Sequence, residues 1–241
     1  MRDKGEVQLI YEWSHTGKYH RLNSAANQDC ITYSVTDSNT VISLADGVSS
    51  CAEAEEGARI AAYAITGLLS LKGPVLIERE ERQVAKIATE HMLYELNRRA
   101  ASCGKPLSDY SSTVVSAMHD RKNNKLLCFN IGDSIIIGVI GNKCKILAMP
   151  YDSTAGCCVI TTNDAESEAF VNVVDTTYLD SVILCSDGAW REMFCAGRIK
   201  PNVSEMLISR DYESLKSFLV QKNTNDDCSF IAMDIRGRRM Q

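Results

Sequence analysis

The chain has 241 residues, of which 45% are hydrophobic and 24% are charged, and its formal net charge at pH 7 is −5. This length and composition fit an ordinary globular protein with a sizeable core, and the negative charge gives no electrostatic support for a nucleic-acid or anionic-membrane partner. The apolar stretch at 60–71 is too short to cross a bilayer, and the opening residues show no signal-peptide core. The ten cysteines include no Cys-x-x-Cys pair, so we expect reduced thiols and a cytoplasmic location.

Runs rich in Val, Ile, Thr, Cys and Phe predict strands along most of the chain. They lie at 7–13, 30–36, 41–45, 112–118, 126–131, 135–140, 143–149, 157–162, 169–175, 182–186 and 228–235. Two long helices are predicted at 52–71 and 78–102, with Pro74 marking the break between them. Shorter helices are predicted at 188–195, 203–210 and 211–222. Hairpin-linked strands with helices gathered between them indicate an α+β layered fold, in a single domain over 1–241.

Aspartates recur where the predicted strands begin or end. Asp29 directly precedes strand 30–36, and Asp46 directly follows strand 41–45. If these two strands form an antiparallel hairpin, the two aspartates become neighbours at one end of the sheet. Four further aspartates flank strands in the same way: Asp133, Asp187, Asp226 and Asp227. Strands that run in opposite senses would bring all of them to that same end.

Several carboxylates at one place repel one another, so either their pKa values rise or a cation neutralises them. An all-oxygen set of aspartates with a nearby carbonyl, and with no His or Cys close in sequence, suits Mg²⁺ or Mn²⁺ better than zinc. More than three carboxylates favours two ions over one. The alternative is that each Asp-Gly pair is only a turn, because strand ends are where turns belong. The residues alone leave both interpretations open.

Six short motifs occur in order between about residues 20 and 235. They are Asn-Gln-Asp at 27–29, Ala-Asp-Gly at 45–47, Ser-Ser-Thr at 111–113, Ile-Gly-Asp-Ser at 131–134, Cys-Ser-Asp-Gly at 185–188 and Asp-Asp-Cys-Ser at 226–229. Together they resemble the metal-dependent protein phosphatase family, type 2C, and Gly-x-x-His at 17–20 resembles its bacterial branch. The resemblance implies a four-layer αββα sandwich, with two antiparallel sheets flanked by helices. It also implies hydrolysis of phosphoserine or phosphothreonine esters by a metal-activated water.

The resemblance assigns a role to each aspartate of the predicted centre. Asp46 would bridge two Mg²⁺ or Mn²⁺ ions, and the Gly47 carbonyl would bind one of them. Asp187 and Asp226 would complete the shell of the other ion. Asp29 would hold a water of the centre, so Asp29 and Asp46 are the expected catalytic residues.

Three positions distinguish this sequence from the family pattern or extend it. Asp133 matches an aspartate that binds a third, weaker ion in bacterial members, and Asp227 replaces a family Asn and is not expected to be a ligand. Ser24 stands where relatives usually have an arginine that binds the substrate phosphate. His20 or Arg21 could supply the missing positive charge, and we expect one of them to bind substrate.

The leading function is therefore a cytoplasmic serine/threonine phosphatase that acts on phosphorylated proteins, with neither nucleic acid nor membrane as a partner. Ser24 motivates one alternative, a pseudophosphatase that keeps the fold as a binding module. A second alternative is a phosphomonoesterase that acts on small metabolites with the same metal centre. Residues 150–175 lie where the family carries a flap near the active site. The sequence indicates no oligomeric state.

Overall fold

The computed structural model describes residues 9–149 and 158–236. The strands are β1 (Ile10–His15), β2 (Asp29–Val35), β3 (Asn39–Gly47), β4 (Ser112–Asp120), β5 (Lys125–Ile131), β6 (Ile135–Ile140), β7 (Lys143–Ala148), β8 (Phe170–Asp175), β9 (Ser181–Cys185), β10 (Phe194–Cys195), β11 (Arg198–Ile199) and β12 (Cys228–Asp234). The helices are α1 (Lys18–Leu22), α2 (Ala54–Leu76), α3 (Glu81–Cys103), α4 (Ala165–Glu168), α5 (Asp187–Met193), α6 (Pro201–Ser209) and α7 (Tyr212–Lys222), with a 3-10 turn at Leu107–Tyr110. Among these residues, no helix has both the length and the apolar character needed to cross a membrane.

The strands form two five-stranded antiparallel sheets and one small hairpin. The first sheet has the order β1-β12-β9-β6-β7, the second sheet has the order β2-β3-β4-β5-β8, and β10 pairs with β11. Helices α6 and α7 cover the outer face of the first sheet, and α2 and α3 cover the outer face of the second. The layers therefore run helix, sheet, sheet, helix, and the prediction of an α+β αββα sandwich is confirmed.

Strand β3 supplies apolar side chains to two layers of the core at once. Val41 and Ala45 pack toward α2, whereas Ile42 and Leu44 face the first sheet in the middle of the sandwich. All four side chains are fully buried. Because successive strand residues point to opposite faces, a strand buried on both sides must be apolar at nearly every position. This explains why residues 41–45 show no alternation of buried and exposed residues. The one polar side chain among them, Ser43, is buried and hydrogen-bonds to the hydroxyls of Ser116 and Thr66, each at 2.8 Å.

The predicted helix break at Pro74 is wrong, because α2 continues through it to Leu76. A proline inside a helix has no N–H to donate to the carbonyl four residues earlier, which here is that of Ser70. The Asn39 side chain fills this role, since its Nδ2 donates to the Ser70 carbonyl oxygen at 3.1 Å. A side chain from the start of β3 thus satisfies the acceptor that the proline leaves open.

The strand predicted at 157–162 is also wrong over its described part, which is a turn. The Thr162 backbone N–H donates to the Val159 carbonyl at 2.9 Å, and the Thr162 hydroxyl accepts from the Val159 N–H at 3.2 Å. Ile160 is nevertheless fully buried and packs into the core beneath α2 and α3. Burial, not strand pairing, therefore explains the apolar residues here. Residues 150–157, the first part of the predicted flap, lie outside the described residues.

Candidate metal centre

The hairpin of β2 and β3 brings two of the predicted site residues together. The strands pair antiparallel in a register that places Asp29 directly opposite Asp46. The prediction that these two aspartates are neighbours is therefore confirmed. On the other side of β3, the register places Thr113 of β4 opposite Asp46. Asp46 thus lies between two partner strands at one end of the second sheet.

The other aspartates reach this end from the turns of both sheets. Asp133 lies in the turn between β5 and β6, and Asp187 begins α5 directly after β9. Asp226 precedes β12 in the first sheet. Asp46, Asp133 and Asp226 all line a cleft of ≈ 150 Å³. The complete lining of this cleft within the described residues is Asp46, Gly47, Val48, Ser49, Thr113, Asp133, Val159 and Asp226.

The aspartates are close enough to change one another's ionisation. Burial raises the pKa of the Asp46 carboxyl well above its usual range, and neighbouring charges raise it further. These charges belong, in falling order of effect, to Asp29, Asp187, Asp226 and Asp133. Burial likewise raises the pKa of Asp29 to about 8 and that of Asp187 to about 6. Without a cation, burial therefore disfavours the charged form of each of these three carboxyl groups relative to an exposed aspartate.

Two buried carboxylate oxygens at this end have no hydrogen-bond partner among the described residues. They are Oδ1 of Asp29 and Oδ1 of Asp187. The second oxygen of each carboxylate is engaged, because Asp29 Oδ2 accepts from the Ser186 hydroxyl at 3.0 Å and Asp187 Oδ2 contacts Arg191 Nη1 at 2.8 Å. A buried oxygen without a partner is energetically unfavourable, and a hard dication satisfies it. The donor set therefore fits Mg²⁺ or Mn²⁺.

The carboxylates do not form a ready-made coordination shell. Within 9–149 and 158–236, no three acidic, histidine or cysteine side chains converge closely enough to hold an ion as they stand. One oxygen of Asp29 is engaged by Ser186 and one oxygen of Asp187 by Arg191, which leaves the second oxygen of each carboxylate to face an ion.

The two Asp-Gly pairs are close approaches between backbone segments rather than hairpin turns. Gly47 ends β3 and Gly188 lies within α5. A Cβ at Gly47 would collide with the carbonyl oxygen of Ala54, and a Cβ at Gly188 would collide with that of Asp227. Each glycine therefore allows an aspartate-bearing element to pack directly on a neighbouring backbone. The interpretation of these pairs as simple turns is excluded.

Asp227 fastens the segment before β2 to the segment before β12. Its buried carboxylate accepts from the backbone N–H groups of Gly17 and Gln28, each at 2.6 Å. It also contacts Nδ1 of the buried His20 at 2.9 Å. One signal for this anchor was visible beforehand, the Gly-x-x-His motif at 17–20, whose glycine and histidine both bind the same carboxylate. These three contacts occupy the Asp227 carboxylate, whereas the adjacent Asp226 lines the cleft.

The structure does not bring His20 or Arg21 to the cleft that the described residues form. His20 is buried against Asp227. The Arg21 guanidinium donates to Asn223 Oδ1 at 2.7 Å, contacts His15 Nε2 at 2.9 Å and binds the Thr16 carbonyl. Both side chains are therefore used to hold the N-terminal segment in place, and neither lines the described cleft.

The cation that does reach the aspartates is Arg191, which sequence reasoning missed. It lies one helical turn after Asp187 on α5, and its guanidinium contacts both Asp187 and Asp133. The Trp190 indole N–H donates to the Asp133 carbonyl oxygen at 2.7 Å. The i, i+4 spacing of Asp187 and Arg191 on a predicted helix was the available signal.

Comparison with known proteins identifies the family. A family model described as Protein phosphatase 2C matches residues 16–221, which is most of the chain. The chain belongs to the protein phosphatase 2C family. It is accordingly a phosphoprotein phosphatase by class, as its motifs predicted. A direct search of curated protein sequences finds no significant match.

Solved structures share the fold of this 2C-family phosphatase at low sequence identity. The serine/threonine phosphatase Stp1 from Staphylococcus aureus has a TM-score of 0.72 at 14% identity, with 97% of each chain covered. A serine/threonine phosphatase from S. agalactiae has a TM-score of 0.66 at 15% identity, covering 95% of this chain and 100% of its own. RsbX, solved in complex with magnesium, has a TM-score of 0.61 at 12% identity, covering 96% of this chain and 97% of its own. These similarities show the fold.

Proposed function

We propose that this 2C-family phosphatase hydrolyses phosphoserine and phosphothreonine esters of proteins at a binuclear Mg²⁺ or Mn²⁺ centre, in the cytoplasm. The observation that carries the proposal is the convergence of aspartates from both sheets on one cleft, with two buried carboxylate oxygens that have no donor within the described chain. The magnesium complex of RsbX supports the choice of ion. The free thiols of the nine described cysteines support a reducing compartment.

In this proposal, the metal ligands come from three places at one end of the β-sandwich: the end of β3, the start of α5 and the segment before β12. Asp46 lies between β2 and β4 and would help to hold the ions, together with the backbone carbonyl of Gly47. Asp187 and Asp226 provide carboxylates from the first sheet. When bound, the ions would activate a water and stabilise negative charge on the phosphoryl oxygens. Asp187 would use Oδ1, the oxygen that Arg191 leaves available.

Asp29 has the geometry of a proton acceptor beside this centre. The Ser186 hydroxyl holds its Oδ2 at 3.0 Å, which fixes the orientation of the carboxylate. Its Oδ1 is buried and has no donor within the described residues, so it is the atom we assign to accept a proton from the attacking water. Burial raises the pKa of Asp29 to about 8 in the metal-free chain. Bound dications would lower this pKa, so the carboxylate would be ionised and able to accept the proton.

One observation favours the second candidate, a pseudophosphatase. Ser24 replaces the phosphate-binding arginine of relatives, and His20 and Arg21 are both occupied elsewhere in the structure. The described cleft therefore lacks the residues we expected to bind the substrate phosphate. A binding module of this kind would take up metal without turning over any phosphate ester.

A substrate panel separates these functions. We would measure kcat/KM of the full chain with Mn²⁺ for phosphothreonine, phosphoserine and phosphotyrosine peptides and for sugar phosphates and nucleotides. The proposal predicts that the phosphoserine and phosphothreonine peptides exceed all others by about tenfold or more. Faster turnover of a small metabolite would identify a phosphomonoesterase. Metal binding without turnover of any compound would identify a pseudophosphatase.

A further inference from the structure

Arg191 bridges two aspartates that come from different parts of the fold. Its Nη1 lies 2.8 Å from Asp187 Oδ2 on its own helix, and its Nη2 lies 3.5 Å from Asp133 Oδ2 in the β5–β6 turn. Two different nitrogens of one planar guanidinium thus contact two carboxylates. This forked geometry is one that arginine provides and lysine does not.

The neighbouring contacts hold Arg191 and Asp133 in this arrangement. Trp190 donates its indole N–H to the Asp133 carbonyl at 2.7 Å, so the β5–β6 turn is tied to α5 by a second bond. The Arg191 guanidinium also lies over the Trp190 ring, at 5.8 Å from its centroid. The turn itself is narrow, because Gly132 has a φ of 115° and packs against Thr113. The contact between Arg191 and Asp133 is therefore supported on both sides.

The contacts also divide the oxygens of Asp187 between two tasks. Oδ2 binds Arg191, whereas Oδ1 is buried with no hydrogen-bond partner in the described chain. Oδ1 is thus available to the proposed centre while Oδ2 is already neutralised. An ion that approached Oδ2 of Asp187 and Asp133 together would have to displace a guanidinium that is permanently charged and attached to the same helix.

We propose that the Arg191 guanidinium occupies the position of a third metal ion, so that this phosphatase binds two ions and not the additional one that the match of Asp133 to the family pattern had suggested. Asp133 is then the ionic partner of Arg191 and not a metal ligand. The inference rests on the proposed binuclear centre and adds to it the identity of the third positive charge. It changes the assignment of Asp133 made from the family resemblance alone.

The test counts the Mn²⁺ ions bound by the full, metal-stripped chain, using equilibrium dialysis with metal analysis and no substrate. The variants are Arg191→Gln, Asp133→Asn and the double variant. Arg98→Gln is the matched control, because it removes the same charge from an exposed i, i+3 ion pair with Glu95 on α3. Arg191 is itself 57% exposed, so its replacement leaves the core unchanged.

We expect two ions for the natural chain, for Asp133→Asn and for Arg98→Gln. Arg191→Gln should bind one ion more, with an affinity at that third position raised by roughly 5–150-fold, and the double variant should return to two. Three ions in the natural chain that fall to two in Asp133→Asn would overturn the inference and leave the binuclear centre intact. An unchanged count of two in Arg191→Gln would overturn it as well. A natural chain that binds no ion would refute the binuclear centre itself.

Discussion

Replacing Asp29 with asparagine should stabilise the metal-free protein at alkaline pH and abolish its activity. Burial raises the pKa of this carboxyl to about 8 in the folded chain, whereas an exposed aspartate in the unfolded chain has a pKa of about 4. The unfolded state therefore releases this proton first as pH rises. Stability consequently falls between about pH 4 and pH 8, and the full penalty is present above pH 8. An asparagine side chain at this position would have no proton to lose.

The size of this effect follows from the pKa shift. A difference of about four pH units corresponds to an upper limit of about 5 kcal/mol in the free energy of unfolding. Entry of water into the cleft relieves part of the cost of burying the charged carboxylate. We therefore expect Asp29→Asn to raise the free energy of unfolding by about 2–4 kcal/mol at pH 8. At pH 4.5 the folded state keeps this proton and the pH lies only slightly above the unfolded-state pKa, so most of the penalty is absent and the gain in the free energy of unfolding should fall below about 1 kcal/mol. The Ser186 hydroxyl can still donate to the amide oxygen of the new side chain.

Urea unfolding in the presence of EDTA at pH 4.5 and pH 8 measures both values. Asp175→Asn is a suitable control, because hydrogen bonds from Thr177 lower the pKa of this exposed carboxyl. A lowered pKa stabilises the folded state above pH 4, so this control should lose stability, not gain it, at pH 8. Addition of Mn²⁺ should stabilise the natural chain more than Asp29→Asn. An equal gain for Asp29→Asn at both pH values would refute the reasoning.

Three further substitutions test the supports of the site. Asp227→Ala should lower the free energy of unfolding by about 3–5 kcal/mol, since it leaves two buried groups and one partly buried N–H without their acceptor; a loss under about 1 kcal/mol in urea unfolding would contradict this anchor role. Gly188→Ala should lower the free energy of unfolding by more than about 2 kcal/mol and weaken Mn²⁺ binding. Gly67 on α2 has open space around it, so Gly67→Ala should raise the free energy of unfolding by about 0.5–1 kcal/mol in the same assay. Trp190→Phe removes the hydrogen bond from the indole N–H to the Asp133 carbonyl and should lower the free energy of unfolding by about 1–2 kcal/mol. Calorimetry that shows no change in stability would argue against this hydrogen bond.

The parts of the fold that depend on local signals could be predicted from the sequence. The β2–β3 hairpin is one example, because its two apolar runs and short polar turn fix the register that pairs Asp29 with Asp46. The αββα architecture followed from the order of strands and helices together with the six motifs.

Features that depend on distant side chains could not be predicted in this way. The continuation of α2 through Pro74 depends on Asn39, which lies far earlier in the chain and reaches the Ser70 carbonyl only in the folded state. Arg191 is similar, because its partner Asp133 comes from a different turn. The Gly-x-x-His motif was visible, but its role required knowing that Asp227 lies beside it. A sequence pattern shows which groups are available, and only the packing shows which of them are already used.

The most direct test of the central claim is the hydrolysis of a phosphothreonine peptide by the purified chain with Mn²⁺ and with EDTA, alongside Asp46→Asn. The binuclear mechanism predicts turnover that requires the metal, stops on chelation and falls by at least about a hundredfold in the variant. Turnover that persists in EDTA, or that Asp46→Asn retains, would contradict the assignment of these aspartates as the catalytic metal centre.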